Sequence, residues 1–467
     1  MGAAASTGIG VSPENSGGGV PDILDKEGAQ ALAGERWNEA AFEELARNGQ
    51  VTRAQLEAEA VVATDPQHHI CFLEDTKLEG GTQIWVAEAA RWFREQGWAV
   101  TIVTPEGGFN AGDAQAIEGC RLVTYDYTAV EKMDDASVEL WRGAFEPCDV
   151  VVMTVHPPRK DGELNRYDDG FFHVSMLASK ALAAGNLRAC LLAKTGSIVK
   201  EYRKEFYMPA APRPINNSVV AITGFTRRYL VNEYGIPDDK VTLCYQGTDV
   251  SRFKSEPARK EEALRRYPAP DGTFPHFGCI GAFERRKGQE FLVAAMAEVV
   301  KEFPKAYLTL VGKNGRDGDI EGELREAVAA AGIEANVAFH PFTKEPMFVY
   351  EALDAVVVSS LMEGLPNVLL ESLAMRKPCV STNIAGCPEC VFDGENGWLC
   401  EPSNATSLAA AMKKVCAAGR DGSTALGEAG STFVRDKMDK KTQFAQFKRV
   451  FQRAVAQSQL VPSPAET

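Results

Sequence analysis

The chain has 467 residues, 45% of them hydrophobic, 9% aromatic and 24% charged, the mix of a globular protein long enough for two or three domains. Lys and Arg number 50 and Asp and Glu 64; the resulting net charge of −14, with no basic stripe to offset it, argues against a nucleic-acid partner. No apolar run approaches the roughly 18 residues of a membrane span, no secretory signal is recognisable, and the eleven cysteines read as reduced thiols, so the chain reads as cytoplasmic.

In chain order, residues 1–67 hold eleven acids and four bases and form an acidic appendage. Met1 to Val20 is Gly, Ala and Ser with almost nothing to bury, and is expected to be disordered. Within it, Met1-Gly2-Ala3-Ala4-Ala5-Ser6 fits the M-G-x-x-x-[ST] acceptor pattern for myristoylation of Gly2. No polybasic segment follows, so one acyl chain would give only weak, peripheral membrane association. Residues 21–66 show helical periodicity around Trp37, Phe42, Leu45 and Leu56, broken at Asn48-Gly49 into two short helices, and lack the ligands of a calcium loop.

From His69 the pattern alternates between strand and helix. His69–Leu73 is a short apolar strand, Gly80-Gly81 a loop, and Thr82–Gln96 a helix with Ile84, Val86, Ala90 and Phe93 on one face. Further strands are expected at 99–103, 121–124, 149–155, 188–193, 218–222 and 240–244. A second series has strands at 277–281, 306–311, 336–340, 355–359 and 378–382, separated by helices at 289–303, 322–331, 347–353 and 366–375. Strands separated by helices imply parallel, doubly wound sheets. The fold class is therefore α/β, with two Rossmann-like domains facing across a cleft. Their expected limits are 68–247 and 248–437; a helix over 438–457, with Phe444, Phe447, Phe451 and Val455 at helical spacing, crosses back to the first domain, and a loose tail follows.

Two segments carry candidate chemistry. In Ser359-Ser360-Leu361-Met362-Glu363-Gly364-Leu365-Pro366-Asn367-Val368-Leu369-Leu370-Glu371, a strand ends in serines and a helix begins with Pro366 at its first position. The amides from Gly364 to Asn367 then point out of a helix N-terminus, an anion site, with Glu363 just before the helix and Glu371 inside it. In Gly281-Ala282-Phe283-Glu284-Arg285-Arg286-Lys287-Gly288, a basic cluster occupies another strand-to-helix turn.

The first segment resembles the Glu-x7-Glu signature of the retaining, nucleotide-sugar-dependent glycosyltransferases of family 4, which have the GT-B fold, and the resemblance covers roughly residues 69–455. It implies transfer of a hexose from a nucleoside-diphosphate sugar to a glycan, lipid-linked or small-molecule acceptor, with retention of configuration. On this resemblance Glu363 lies against the donor hexose and Glu371 binds the ribose hydroxyls, a pairing that suits a carboxylate. The second segment is similar to the family's phosphate clamp, with Lys287 neutralising the diphosphate and Arg285 or Arg286 as the second cation. Tyr245-Gln246-Gly247-Thr248-Asp249 through Phe253 resembles the interdomain element. Phe339-His340-Pro341-Phe342 resembles the strand end whose backbone reads the base, Gly386-Cys387-Pro388-Glu389 the loop beside the donor, and Gly80-Gly81 the first-domain loop that approaches the donor phosphates. The second domain is thereby implied to hold the donor and the first the acceptor. No Asp-x-Asp motif stands in the matching places, so neither a divalent metal nor a cofactor beyond the donor is expected.

The chain departs from the family pattern in two places: Ala282 stands where many members have Arg, and Lys194-Thr195-Gly196-Ser197 stands where many carry a His. His156, at the preceding strand end, is a candidate to enter the cleft or a structural hydrogen bonder. Cys387-x-x-Cys390 has no second ligand pair nearby and reads as incidental. Two alternatives stay open: a polymer phosphorylase, which would need a pyridoxal cofactor and a longer chain, and a non-catalytic nucleotide or glycan binder of the same fold.

Overall fold

The structure, a computed structural model, describes residues 68–74, 81–126, 134–154, 174–185, 187, 189–196, 204–208, 218–315 and 317–459. The appendage over 1–67 with Gly2, as well as Gly80, His156 and the tail beyond Gln459, lies outside the described residues.

Thirteen strands form two sheets among these residues. The first contains β1 (His69–Leu73), β2 (Ala99–Pro105), β3 (Cys120–Tyr125), β4 (Val150–Thr154), β5 (Cys190–Lys194), β6 (Ser218–Ala221) and β7 (Val241–Leu243), in the order β3-β2-β1-β4-β5-β6-β7. The second contains β8 (His276–Ile280), β9 (Tyr307–Gly312), β10 (Val337–Pro341), β11 (Ala355–Val358), β12 (Cys379–Thr382) and β13 (Gly397–Cys400), in the order β10-β9-β8-β11-β12-β13. Every pairing within both sheets is parallel. Strands covered on both faces must be apolar along their whole length, and β4, Val-Val-Val-Met-Thr, is buried throughout. In each sheet the first strand has later strands on both sides, so the winding reverses there. The carboxyl ends at that reversal are where a doubly wound sheet opens a crevice.

Local signals set the helix ends. Asp134, Thr223, Asp319 and Asn404 each accept a hydrogen bond from a backbone amide of the first turn that follows. Gly332, at φ 66°, closes the helix Ile320–Ala331 in the left-handed conformation that glycine tolerates best. One face of the first sheet packs Cys71, Leu73 and Met153 against Trp141, Phe145 and Leu177. The other packs Ile70, Phe72 and Ile102 against Trp85 and Phe93, and onto the same face the last helix, Lys440–Gln459, lays Phe444, Phe447 and Phe451.

The structure corrects the sequence reading in several places. Ile84 is 38% exposed, because Trp85, one position on, takes the buried stripe of the helix Gly81–Glu95 together with Val86, Ala89, Ala90 and Phe93. Gly81 is the first residue of that helix rather than part of a loop. Pro366 is the N-cap of its helix, with φ −68° and ψ 129°, so the helix begins at Asn367. The edge strand β13 was not expected from the sequence; its four residues are too few for a period to register.

The aromatic seam beneath the last helix can be tested directly. Phe447 is fully buried, 5.0 Å from the Trp85 ring centroid and 5.7 Å from that of Phe451. Phe447→Ala should destabilise the protein by about 3–5 kcal/mol in denaturant titration; a loss under about 1 kcal/mol would mean the helix is not anchored there.

Candidate functional site

The geometry of the site starts from the ends of β8 and β11. After β8 the chain turns through Gly281 and Phe283 into a short 3-10 turn, Arg285–Lys287, and then into the helix Gln289–Glu302. Gly288 makes this turn at φ 60°, and a Cβ there would stand 2.3 Å from the Ser359 carbonyl oxygen. Glycine is therefore required both by the backbone conformation and by the close approach of the two loops. The loops are then stapled together: the Leu361 amide donates to the Arg286 carbonyl at 2.7 Å, and the Ser359 hydroxyl to that of Lys287 at 2.9 Å.

That arrangement brings two of the candidate residues into contact. Lys287 Nζ donates to Glu363 Oε1 at 2.5 Å, the Ser360 hydroxyl donates to the same oxygen at 2.9 Å, and Arg286 Nη1 is 3.9 Å away. Glu363 is buried, and a buried carboxylate is tolerable only when paired and hydrogen-bonded in this way. The two arginines diverge. Arg286 also donates from Nε to Glu284 at 2.6 Å, whereas Arg285 turns outward to Glu323 at 2.8 Å, away from Glu363. Ala282 contributes its carbonyl, which accepts from Gln289 Nε2 at 2.9 Å.

The segment from Gly364 to Asn367 is fixed from both domains. Gly386 N donates to the Gly364 carbonyl at 2.9 Å, and Gln246 Nε2 to that of Leu365 at 3.3 Å and to the Asn367 side chain. A Cβ on Gly81 would stand 3.0 Å from Asn367 Nδ2, so the N-termini of the helices Gly81–Glu95 and Asn367–Ala374 approach one another across the cleft. Glu389 accepts from the amides of Gly224 at 2.7 Å and Phe225 at 2.6 Å, which ties the loop after β12 to the first turn of a first-domain helix.

Glu371 sits one turn into the helix Asn367–Ala374, and the Tyr350 hydroxyl donates to its Oε2 at 2.7 Å. Burial pushes its carboxyl above the usual range, although Tyr350, Lys440 and Arg252 pull the other way. Phe342, just past β10, is 49% exposed, with Lys313 Nζ 5.0 Å from its ring centroid. Glu371 and Phe342 thus lie outside the contact that joins Lys287 to Glu363. All eleven cysteines are free thiols; Cys387 and Cys390 are buried, and among the described residues no group of three His, Cys, Asp or Glu side chains could hold a metal ion.

Sequence reasoning passed over Ser360, Tyr350, Gln246 and Lys194 as functional residues. The Lys194 side chain is buried at the end of β5, 4.4 Å from the centroid of the Trp85 ring. A charged residue closing an otherwise apolar strand, Cys-Leu-Leu-Ala-Lys, was the available signal.

Comparison with known proteins follows the same lines. Residues 274–418 match the model of the family "Glycosyl transferases group 1". The chain is 30% identical over 197 residues to the D-inositol 3-phosphate glycosyltransferase of Pseudarthrobacter chlorophenolicus, covering 42% of this chain and 46% of the relative. It is 27% identical over 225 residues to the GDP-mannose-dependent alpha-(1-6)-phosphatidylinositol monomannoside mannosyltransferase of Mycobacterium tuberculosis, covering 46% and 56%. The matches span about half the length of these curated relatives. In fold, the chain is similar to a glycosyltransferase from Rickettsia africae, with a TM-score of 0.69, 17% identity, and 83% of this chain and 99% of that one covered. It is likewise similar to Anabaena HepE in complex with UDP, with a TM-score of 0.68, 18% identity, and 82% and 100% covered.

The raised pKa of Glu371 has a measurable consequence for stability. Between the ordinary Glu value of about 4.3 and the raised native value, the folded protein binds more protons than the unfolded chain, so this group's contribution to stability falls as pH rises through that window. Glu371→Gln, which cannot titrate, should therefore gain stability relative to the wild type as pH rises above the ordinary Glu value of about 4.3. Thermal unfolding of both proteins from acid to neutral pH checks it, and a difference that does not change with pH would contradict the burial effect.

Proposed function

We propose that this chain, a glycosyltransferase-family-4-like protein of GT-B fold, moves a hexose from a nucleoside-diphosphate sugar to an acceptor hydroxyl with retention of the anomeric configuration. The observation that carries the reading is the contact of Lys287 with Glu363 at the meeting of two strand ends and a helix N-terminus. An ammonium and helix-end amides suit a diphosphate, and a carboxylate beside them suits a sugar on which positive charge develops. The names of relatives that carry a GDP-mannose donor, and of a fold neighbour with UDP, agree with a nucleotide-sugar donor.

In this reading the donor diphosphate draws Lys287 away from Glu363. Arg286 supplies the second cation in preference to Arg285, because Arg286 already faces Glu363 and Arg285 is held by Glu323. The amides of Gly364, Leu365 and Asn367, behind Pro366, complete the phosphate site, and Gly81 closes it from the first domain. Glu371 holds the ribose, with Tyr350 orienting its carboxylate, and the base lies against the strand end at Phe342. The bond from the anomeric carbon to the phosphate oxygen breaks as the acceptor oxygen bonds to that carbon, releasing nucleoside diphosphate and the hydroxyl proton. The fixed cations stabilise charge on the leaving phosphate, so the proposed reaction uses neither a divalent metal nor a cofactor beyond the donor. The proposed setting is the cytoplasm, with a weak membrane contact if Gly2 is acylated. The acceptor is a glycan, a lipid-linked sugar or a small molecule.

A thermal-shift and hydrolysis panel over nucleotide sugars tests the donor, because specific binding stabilises the folded state. Donor binding without turnover on any acceptor would favour a non-catalytic binder. Lys287→Ala should lower kcat by about two orders of magnitude or more; matched melting temperatures must exclude a folding defect, since Glu363 would keep only Ser360 and the more distant Arg286. Normal turnover in Lys287→Ala and Arg286→Ala alike would remove the phosphate site from this loop.

The two glutamates should fail differently. Glu371→Ala should mainly raise KM for the donor, because a ribose contact is made in ground and transition states alike. Glu363→Gln keeps the shape but not the charge, and should mainly lower kcat. Wild-type kcat in Glu363→Gln would disprove its catalytic role.

A further inference from the structure

The two sheets begin in the same way, and the likeness sets two thiols apart. In the second sheet the His276 amide donates to Asp354 Oδ2 at 2.8 Å, the Asp354 amide donates to the His276 carbonyl at 2.8 Å, and His276 Nε2 shares a hydrogen bond with Thr309 Oγ1 at 2.7 Å. In the first sheet His69, Asp149 and Thr101 repeat all three bonds, each at 2.8 Å. Register agrees: Gly278 stands between Thr309 and Val356, and Cys71 between Thr101 and Val151. Cys71 therefore corresponds to Gly278, and Cys148, just before Asp149, to Leu353, just before Asp354.

These corresponding positions touch. A Cβ on Gly278 would stand 2.1 Å from Leu353 Cδ1, so the second domain fills the place with one side chain only. The first domain puts a side chain at both, and each is a thiol. Cys71 and Cys148 lie within hydrogen-bonding reach of one another, and His69 and Thr101 are within reach of Cys148 as well. Cys71 has no exposure, whereas Cys148 is 7% exposed and follows the exposed Pro147. Since Leu353 and Gly278 serve the same frame, packing alone does not call for two sulfurs there.

The surroundings make the two thiols unlike. Hydrogen bonds with Cys71, and then with His69 and Thr101, hold the Cys148 thiol below its usual range against the effect of burial, whereas burial pushes Cys71 well up. Elsewhere burial dominates, raising Cys120 to about 11 and Cys279 and Cys387 to about 12. The thiolate is the form that attacks a peroxide, and a second thiol beside it can then resolve the oxidised sulfur. Cys120 pairs in register with Val100, so its side chain lies on the opposite face of the sheet from Thr101 and Cys71.

We propose that Cys71 and Cys148 form a peroxide-sensitive pair, in which Cys148 is the attacking thiol and Cys71 the resolving one. The Cys148 sulfur bonds to the outer oxygen of a hydroperoxide, ROOH, as the O–O bond breaks; ROH leaves with the proton that Cys148 gave up, and Cys148 becomes a sulfenic acid. The Cys71 sulfur then bonds to the Cys148 sulfur as the S–O bond breaks, and water leaves with the Cys71 proton. Two thiols have lost the two electrons that the peroxide gained. The disulfide joins β1 to the turn before β4, at the amino ends of the strands and away from the cleft, and a thiol reductant reverses it.

Peptide mapping of the full chain after treatment with hydrogen peroxide tests the pair without any substitution. The peptides holding Cys71 and Cys148 should appear joined, and dithiothreitol should separate them. In thiol titration the wild type should lose two thiols at least about tenfold faster than Cys148→Ser. Cys71→Ser should stop at a sulfenic acid on Cys148, captured by dimedone, and Cys120→Ser should behave as the wild type. A first disulfide between any other cysteines overturns the proposal. So does thiol loss in Cys148→Ser as fast as in the wild type, or passage of Cys148 to a sulfinic acid while Cys71 stays reduced.

Discussion

Glu363 is a carboxylate withdrawn from water, and much of the second domain's local geometry is what it takes to keep it there. Its oxygen is shared by an ammonium and a hydroxyl, Lys287 at 2.5 Å and Ser360 at 2.9 Å. To deliver Lys287, the turn after β8 must pass close under the loop after β11, so the position between them has no room for a side chain. Gly288 meets that demand, and the Leu361 and Ser359 hydrogen bonds lock the two loops at that spacing. A paired buried charge of this kind contributes little net stability, since desolvation offsets most of the attraction. Its value is positional: charges of opposite sign are held ready beside a helix N-terminus.

The first domain reaches the same place from the other side. Gly81 opens a helix against Asn367, Gln246 holds the Leu365 carbonyl, and Glu389 accepts two amides of the helix Gly224–Asn232. The last helix adds a further link. It begins beside the interdomain element, where Thr248 N donates to the Met438 carbonyl at 2.8 Å and Lys440 N to that of Thr248 at 2.9 Å, and then runs over the aromatic face of the first sheet. The two carboxyl rims differ in how they handle charge. The second pairs Glu363 with Lys287 internally, whereas in the first Lys194 has no ion-pair partner among the described residues.

Much of the fold was legible in the sequence because the strands are short apolar runs punctuated by amphipathic helices, and the two sheets follow from that alternation. Where the reading slipped, the cause was local. Trp85 rather than Ile84 enters the core, because an indole fills the space beneath Phe444 and Phe447, which lie far along the chain. Pro366 caps its helix instead of starting it, a shift of one position that hydrophobic pattern cannot resolve. Of the candidate site, Lys287, Glu363 and the loop to Asn367 were legible as motifs at strand-to-helix turns.

By itself the sequence determined the two parallel sheets and the pair of turns where chemistry could gather, because periodicity and glycine placement are written along the chain. It left Arg285 and Arg286 equivalent, gave Glu371 no partner and passed over Lys194. Tertiary structure separated the arginines, since only Arg286 lies on the side of the turn that faces Glu363 while Glu323 draws Arg285 outward. It likewise set Tyr350 against Glu371 and brought the Cys71 and Cys148 thiols together. These last relations depend on register between strands, and on packing between helices, that are distant in sequence; no local pattern encodes which side chains a sheet will bring abreast.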